Sequence, residues 1–265
     1  MSETPSDSVV RLTRDDGIGI ITLARPDALN AVDDAIRIGL VNACAEAAAD
    51  PAIAAIVIRA EGDRSFCVGA DIKEQRAPLS PAETRTLPAD RDYTSAIAAM
   101  TKPVVCAIHG FCLGAGLEIA LACDIRIAAI GSSFGLPEVN LGLIPGAGGT
   151  QRLTRLIGLG RALDMMLSGD RISTEKAVEY GIVTRVAKNK ADLDVNAIAL
   201  AKALAAKPPL ASQYLKEAVA AGLDGTLSAG LARERDLFTF LLGTEDRAEA
   251  AEAFKAKRPP KFVGR

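Results

Sequence analysis

A chain of 265 residues with 31 Lys and Arg against 33 Asp and Glu carries a formal charge of −2, which gives no electrostatic ground for binding nucleic acid. The longest uncharged run, residues 103–117, is broken by proline and glycine and is too short to span a bilayer. The polar, acidic opening Met1-Ser-Glu-Thr-Pro-Ser-Asp-Ser8 is unlike a secretory signal.

In chain order, apolar β-rich segments recur at residues 9–12, 18–23, 53–59, 104–108 and 125–130, with a weaker one at 182–186. Arg14-Asp-Asp-Gly17 has the turn chemistry of a hairpin between the first two. Helical patterns fall between several strands, at 32–49, 93–100 and 116–123. Such alternation predicts an α/β fold with right-handed crossovers. The segment 76–90 has three prolines and little apolar content, so it reads as an irregular excursion beside any pocket. From about Ser173 the pattern becomes helical, at 191–206, 210–221, 226–242 and 245–257. The expected division is a core over residues 1–192 and a helical C-terminal region over 193–265. No internal repeat is visible.

The five cysteines, Cys44, Cys67, Cys106, Cys112 and Cys123, sit in apolar contexts without a CxxC pair. They read as core residues of a reducing compartment, so a cytoplasmic setting is expected. A single histidine, His109, leaves little for a metal site or a Ser-His-Asp triad. It follows a buried strand and reads as a hydrogen-bonded turn residue. The glycine clusters at 114–116 and 146–149 match neither phosphate-loop nor dinucleotide fingerprints.

Two glutamates stand out. Glu118 interrupts the otherwise uncharged Leu113-Gly-Ala-Gly-Leu-Glu-Ile-Ala-Leu-Ala-Cys123, and Glu138 lies among apolar neighbours just before Ile144-Pro-Gly-Ala-Gly-Gly-Thr150. An ionised carboxylate there costs several kcal/mol unless it is paired or its pKa rises. Two such groups are raw material for acid/base chemistry. Two strand ends also lead through glycine turns into helical segments, at 65–73 and 109–118. If the turns meet, two backbone N–H groups converge on one carbonyl oxygen as an oxyanion hole. In a helix starting near Gly114, Ala115 and Glu118 share a face. A plainer alternative stays open: Gly-Ala-Gly can serve close helix packing, and either glutamate can cap backbone donors.

Phe66-Cys-Val-Gly-Ala-Asp-Ile-Lys-Glu74, Ala107-Ile-His-Gly-Phe-Cys-Leu-Gly-Ala-Gly-Leu-Glu118, Phe134-Gly-Leu-Pro-Glu138 and Leu143-Ile-Pro-Gly-Ala-Gly-Gly-Thr-Gln-Arg-Leu153 together resemble the crotonase (enoyl-CoA hydratase/isomerase) superfamily. The likeness runs from about Leu23 to Phe262. It implies a crotonase-like spiral of ββα repeats in two packed sheets, with a C-terminal helical trimerisation region and a homotrimer or dimer of trimers. It also implies an acyl-CoA thioester as substrate, with coenzyme A arriving on the substrate and no other cofactor or metal.

By that resemblance the N–H groups of Ala70 and Ala115 bind the thioester oxygen, although relatives often have glycine at the second position. Glu118 and Glu138 fall on the paired glutamates of the hydratases. Arg25, Ala28, Leu29, Ala70, Asp71, Ile72, Lys73 and Ala115 line the acyl-CoA, while Phe238 and Lys257 help hold its nucleotide end. Asp71 and Lys73 can also be turn residues only, Phe238 helix core, and Lys257 a solvated charge. The leading expectation is hydration of a trans-2-enoyl-CoA. A Δ3-Δ2-enoyl-CoA isomerase or a specialised acyl-CoA dehydratase is the second reading, and an RNA- or protein-binding homologue the third.

Overall fold

The computed structural model describes residues 8–74 and 92–265. The N-terminal heptapeptide and the proline-rich excursion at 76–90 lie outside the described residues. The six-stranded sheet runs β1 (Val10–Asp15), β2 (Ile18–Leu23), β3 (Ala55–Ala60), β5 (Val104–Ile108), β7 (Ile125–Ala129) and β10 (Arg185–Ala187). Only its β1–β2 pair is antiparallel. Asp16 and Gly17, both with positive φ, make the two-residue turn between those strands, as the Asp-Gly signal predicted.

The second sheet has four short strands: β4 (Ser65–Cys67), β6 (Phe111–Leu113), β8 (Ser133–Gly135) and β9 (Ile172–Ser173). From β3 to β8 the chain lays one strand in the large sheet and the next in the small sheet, then returns. That is the expected spiral of ββα repeats. Its second strand is at most three residues long, too short to show a period of two in sequence. The weak strand read at 182–186 forms slightly later, at 185–187.

Both faces of the large sheet are buried, which is why its strands read as continuous apolar runs. Ile21, Leu23, Ile56, Ile58, Cys106 and Ile108 face a core shared with Phe66, Cys112 and Phe134 of the small sheet. The same core takes α1 (Asp34–Ala49), which buries Ile36, Leu40, Ala43, Cys44 and Ala47 along one stripe. Asp33 caps that helix by accepting from Ile36 N at 2.9 Å. Ile18, Ile20, Ala55, Val57, Val105 and Ala107 face the opposite way.

That opposite face is covered by α7 (Lys190–Ala205) through Leu193, Ala197 and Ala201. Position 193 therefore lies inside a helix packed on the sheet. The remaining helices, α8 (Pro209–Asp224), α9 (Leu227–Leu242) and α10 (Glu245–Ala256), bury few of their own residues. Lys216 ties α8 to the core through Asp124 (2.7 Å) and the Lys102 carbonyl (3.1 Å). The carboxylate of Asp246, itself buried, accepts from Val263 N and Gly264 N and so pins the C-terminal tail to α10.

The remaining described helices are α2 (Tyr93–Ala98), α3 (Ala115–Ala122), α4 (Gly149–Ile157), α5 (Leu159–Ser168) and α6 (Thr174–Glu179). Every residue of α3 is buried. A Cβ on Gly116 would collide with the Cys67 carbonyl, so glycine lets this helix press directly onto β4.

Candidate active site

Gly114 is the hub of the site. It adopts φ 52° and ψ −126° as the N-cap of α3, a conformation that L side chains rarely take. The turn carrying Gly69, with φ 115°, lies against it: a Cβ on Gly114 would stand 3.3 Å from Gly69 Cα. The two glycine turns therefore meet, as the oxyanion-hole reading requires.

The amides next to these glycines point out of the backbone network. On either side of Ala70, Val32 N donates to Gly69 O and Asp71 N donates to Val32 O. At the second turn Gly114 N donates to Gly135 O, and Ala115 opens α3. Among the described residues neither the Ala70 N–H nor the Ala115 N–H meets an acceptor. A place on Gly69 equivalent to a Cβ would be 3.9 Å from Ala115 N. The turn that carries Ala70 therefore lies against the Ala115 amide.

Both glutamates touch the same hub, Glu118 through its backbone and Glu138 through its side chain. Glu118, 3% exposed, lies one turn along α3 and its N–H donates to Gly114 O. Its Oε1 accepts from Ala147 N at 2.7 Å and Gly149 N at 2.8 Å. Burial pushes this carboxyl above the ordinary value, and those two N–H groups, with the Arg152 charge, pull it back. The carboxylate does cap backbone donors, as the plainer alternative held, yet only Oε1 is used in doing so.

Glu138 sits at the start of the 3-10 turn Pro137–Leu141. Its Oε1 is 3.0 Å from where a Gly114 Cβ would stand, and its Oε2 is buried with no partner among the described residues. Burial, followed by the nearby Glu118 charge, lifts its carboxyl to about 6. A group with a raised folded pKa stabilises the fold below its unfolded value and loses that contribution as pH rises through the folded one. Glu138→Gln is therefore expected to be more stable than the parent at pH 8. Urea denaturation should show the difference closing as pH falls from 6 to 4.5, the window between the raised and the ordinary value.

Arg25 is half-buried and paired within the site. Its guanidinium donates to Asp71 at 2.6 Å and to Ala31 O at 3.0 Å, with Asp33 at 3.4 Å. That pairing holds the Asp71 carboxyl below the usual range and tethers the turn bearing Ala70. Lys73 N donates back to Asp71 Oδ1, while Ile72 is 79% exposed beside it. Ala28 and left-handed Leu29 belong to the neighbouring loop. Asn30, fully buried, pins this loop through Arg25 N, Glu61 O and Ser65 O. Phe238 is 61% exposed on α9, and Lys257 ends α10 in a left-handed conformation. Among the described residues no hydrogen bond, ion pair or ring contact joins either of them to the glycine turns.

His109 is buried and forms a backbone hydrogen bond with Gly62, but its Nε2 has no partner among the described residues. Burial and Lys190 lower its pKa, keeping it neutral. Burial pushes the Cys67 thiol up to about 12 and raises Cys112 well above its ordinary value. Both act as core residues rather than thiolates.

A family model described as Enoyl-CoA hydratase/isomerase matches residues 13–265. The 2,3-dehydroadipyl-CoA hydratase of Escherichia coli K12 is 41% identical over 255 residues, covering 96% of this chain and 98% of that one. The (E)-benzylidenesuccinyl-CoA hydratase of Thauera aromatica is 38% identical, covering 93% and 96%. Among solved structures, an enoyl-CoA hydratase from Bacillus anthracis superposes with a TM-score of 0.91 at 36% identity, over 97% of this chain and 100% of that one.

Proposed function

The chain belongs to the enoyl-CoA hydratase/isomerase family and is an enzyme of the enoyl-CoA hydratase type, and from that premise we propose that it adds water reversibly across the C2=C3 bond of a trans-2-enoyl-CoA thioester. The observation that carries this is a pair of interacting carboxylates, Glu118 buried and Glu138 half-buried, beside two unpartnered N–H groups on touching turns.

The thioester oxygen accepts from Ala70 N and Ala115 N, so charge leaving the double bond collects where two fixed donors await it. Glu118 takes a proton from the attacking water as its oxygen bonds to C3. Glu138, raised to about 6, delivers a proton to C2. The two titrate as a unit sharing a proton, and exchange with solvent resets them after each turnover. Arg25, Ala28, Leu29 and residues 70–73 shape the channel for the pantetheine arm. The chemistry calls for no cofactor beyond the coenzyme A of the substrate.

Two carboxylates favour hydration over isomerisation, since moving a double bond needs one base to carry a single proton. The exposed apolar residues of α8–α10, including Leu215, Leu223, Phe240 and Phe254, support assembly into a trimer or a dimer of trimers. In such an assembly Phe238 and Lys257 serve the nucleotide end of the substrate. Among the described residues no helix is long and apolar enough to cross a membrane; the five free, buried cysteines support a reducing, cytoplasmic setting.

The test is loss of the conjugated-thioester absorbance of crotonyl-CoA on adding the purified enzyme. Steady hydration supports the reading. A rate equal to buffer, together with double-bond migration in a Δ3-enoyl-CoA, would transfer the assignment to an isomerase.

A further inference from the structure

The two N–H groups that grip Glu118 belong to the peptides before and after the Ala147–Gly148 peptide, so the orientation of that middle peptide aims both of them. Its carbonyl is held from two sides. Thr94 Oγ1, from the buried Thr94 of α2, donates to Ala147 O at 2.9 Å, and Arg152 Nη1, from the first turns of α4, donates to the same oxygen at 3.0 Å. Gly148 has φ 98°, and a Cβ there would collide with the Arg152 guanidinium.

The placement of Arg152 is unusual for its helix. A cation near a helix N-terminus opposes the macrodipole, and α4 has no acidic residue in its first turn. Glu118, reaching across from α3, supplies the missing negative charge. Arg152 therefore acts on Glu118 twice, through the peptide it fixes and through its own charge.

We propose that Thr94 and Arg152 are positioning residues for the hydration reaction, clamping the Ala147 carbonyl so that two N–H groups hold Glu118 Oε1 while its other oxygen stays free for water. This rests on the hydratase reading above. The charged and titratable groups bearing on Glu118 are Glu138 from the Pro137–Leu141 turn, Tyr93 from α2 and Arg152 from α4. Removing the Arg152 charge leaves burial and Glu138 in command, so the Glu118 titration must move to higher pH. Loosening the peptide through Thr94 moves it the same way, because the N–H groups favour the ionised form.

The experiment compares Arg152→Gln, Arg152→Lys, Thr94→Val and Thr94→Ser in two readouts. One is the pH profile of kcat and KM for crotonyl-CoA. The other is the 13C titration of the Glu118 carboxyl without substrate, assigned by its disappearance in Glu118→Gln. Arg152→Gln and Thr94→Val should lower kcat by about tenfold or more, the scale of a small misplacement of a reacting group, with little change in KM. Both should move the Glu118 titration and the acid limb of kcat to higher pH. Arg152→Lys and Thr94→Ser, which keep the donor, should recover most of the loss relative to their partners. Folded Arg152→Gln and Thr94→Val with the parent Glu118 titration would overturn the clamp. Failure of the parent enzyme to hydrate any enoyl-CoA would overturn the hydratase reading instead, while the titration would still decide the clamp.

Discussion

Glu118→Gln and Glu138→Gln should each cut kcat for enoyl-CoA hydration by about 10²–10⁴-fold, the usual worth of a positioned acid or base, while acyl-CoA affinity stays near that of the parent. The reason differs between the two. In Glu118→Gln the amide oxygen can still accept from Ala147 N and Gly149 N, so the 145–149 loop keeps its shape and only the proton acceptor is lost. In Glu138→Gln a group raised to about 6 becomes a neutral amide that cannot deliver a proton to C2. Steady-state kinetics with calorimetric binding of a non-reacting acyl-CoA separates the two effects. A large rise in KM or Kd at unchanged kcat would mean that these side chains bind substrate rather than move protons.

The oxyanion assignment makes the second large prediction. Ala115→Pro removes one N–H and nothing else from the proposed donor pair, and proline is at home in the first position of a helix. Loss of one such donor costs about 10²–10³-fold in kcat. Ala115→Gly keeps the N–H and should cost far less. Thermal melts of both variants check that α3 survives. Full activity in a folded Ala115→Pro would assign the oxygen to other donors.

How much of this was legible in the sequence depends on the length scale of each feature. The long strands of the large sheet and α1 carry enough periodic apolar residues to announce themselves. Asp16-Gly17 fixed the first hairpin for the same local reason. The small sheet left no periodic signal, because β4, β6 and β8 are three residues each; it was expected only from the resemblance and from the two strand ends that enter the glycine turns. Glu118 and Glu138 were visible because charge in an apolar run is costly, and the glycine turns because glycine next to a helix start exposes N–H groups.

What sequence could not show is the set of partners that hold these groups. The glycine cluster at 146–149 matched no phosphate-loop or dinucleotide fingerprint, and the structure shows that amides of this loop grip Glu118. Arg25 was expected along the acyl-CoA from the resemblance, and the structure adds that its guanidinium pairs with Asp71 and the Ala31 carbonyl. Asn30, Thr94 and Arg152 drew no notice as single residues: Asn30 and Thr94 matter through carbonyls distant in the chain, and Arg152 through the Ala147 carbonyl and a glutamate on another helix. Asn30 stands inside the Leu-Asn-Ala stretch of the resemblance and Arg152 inside Gly-Thr-Gln-Arg. Those motifs were the only signal available for either.

The account is tested most directly by a crystal structure of the enzyme with a bound, slowly reacting 2-enoyl-CoA analogue. The thioester oxygen should lie about 3 Å from both Ala70 N and Ala115 N, with the carboxylates of Glu118 and Glu138 facing C2 and C3 from one side. A thioester oxygen bonded elsewhere, or a C2–C3 bond out of reach of both carboxylates, would contradict it.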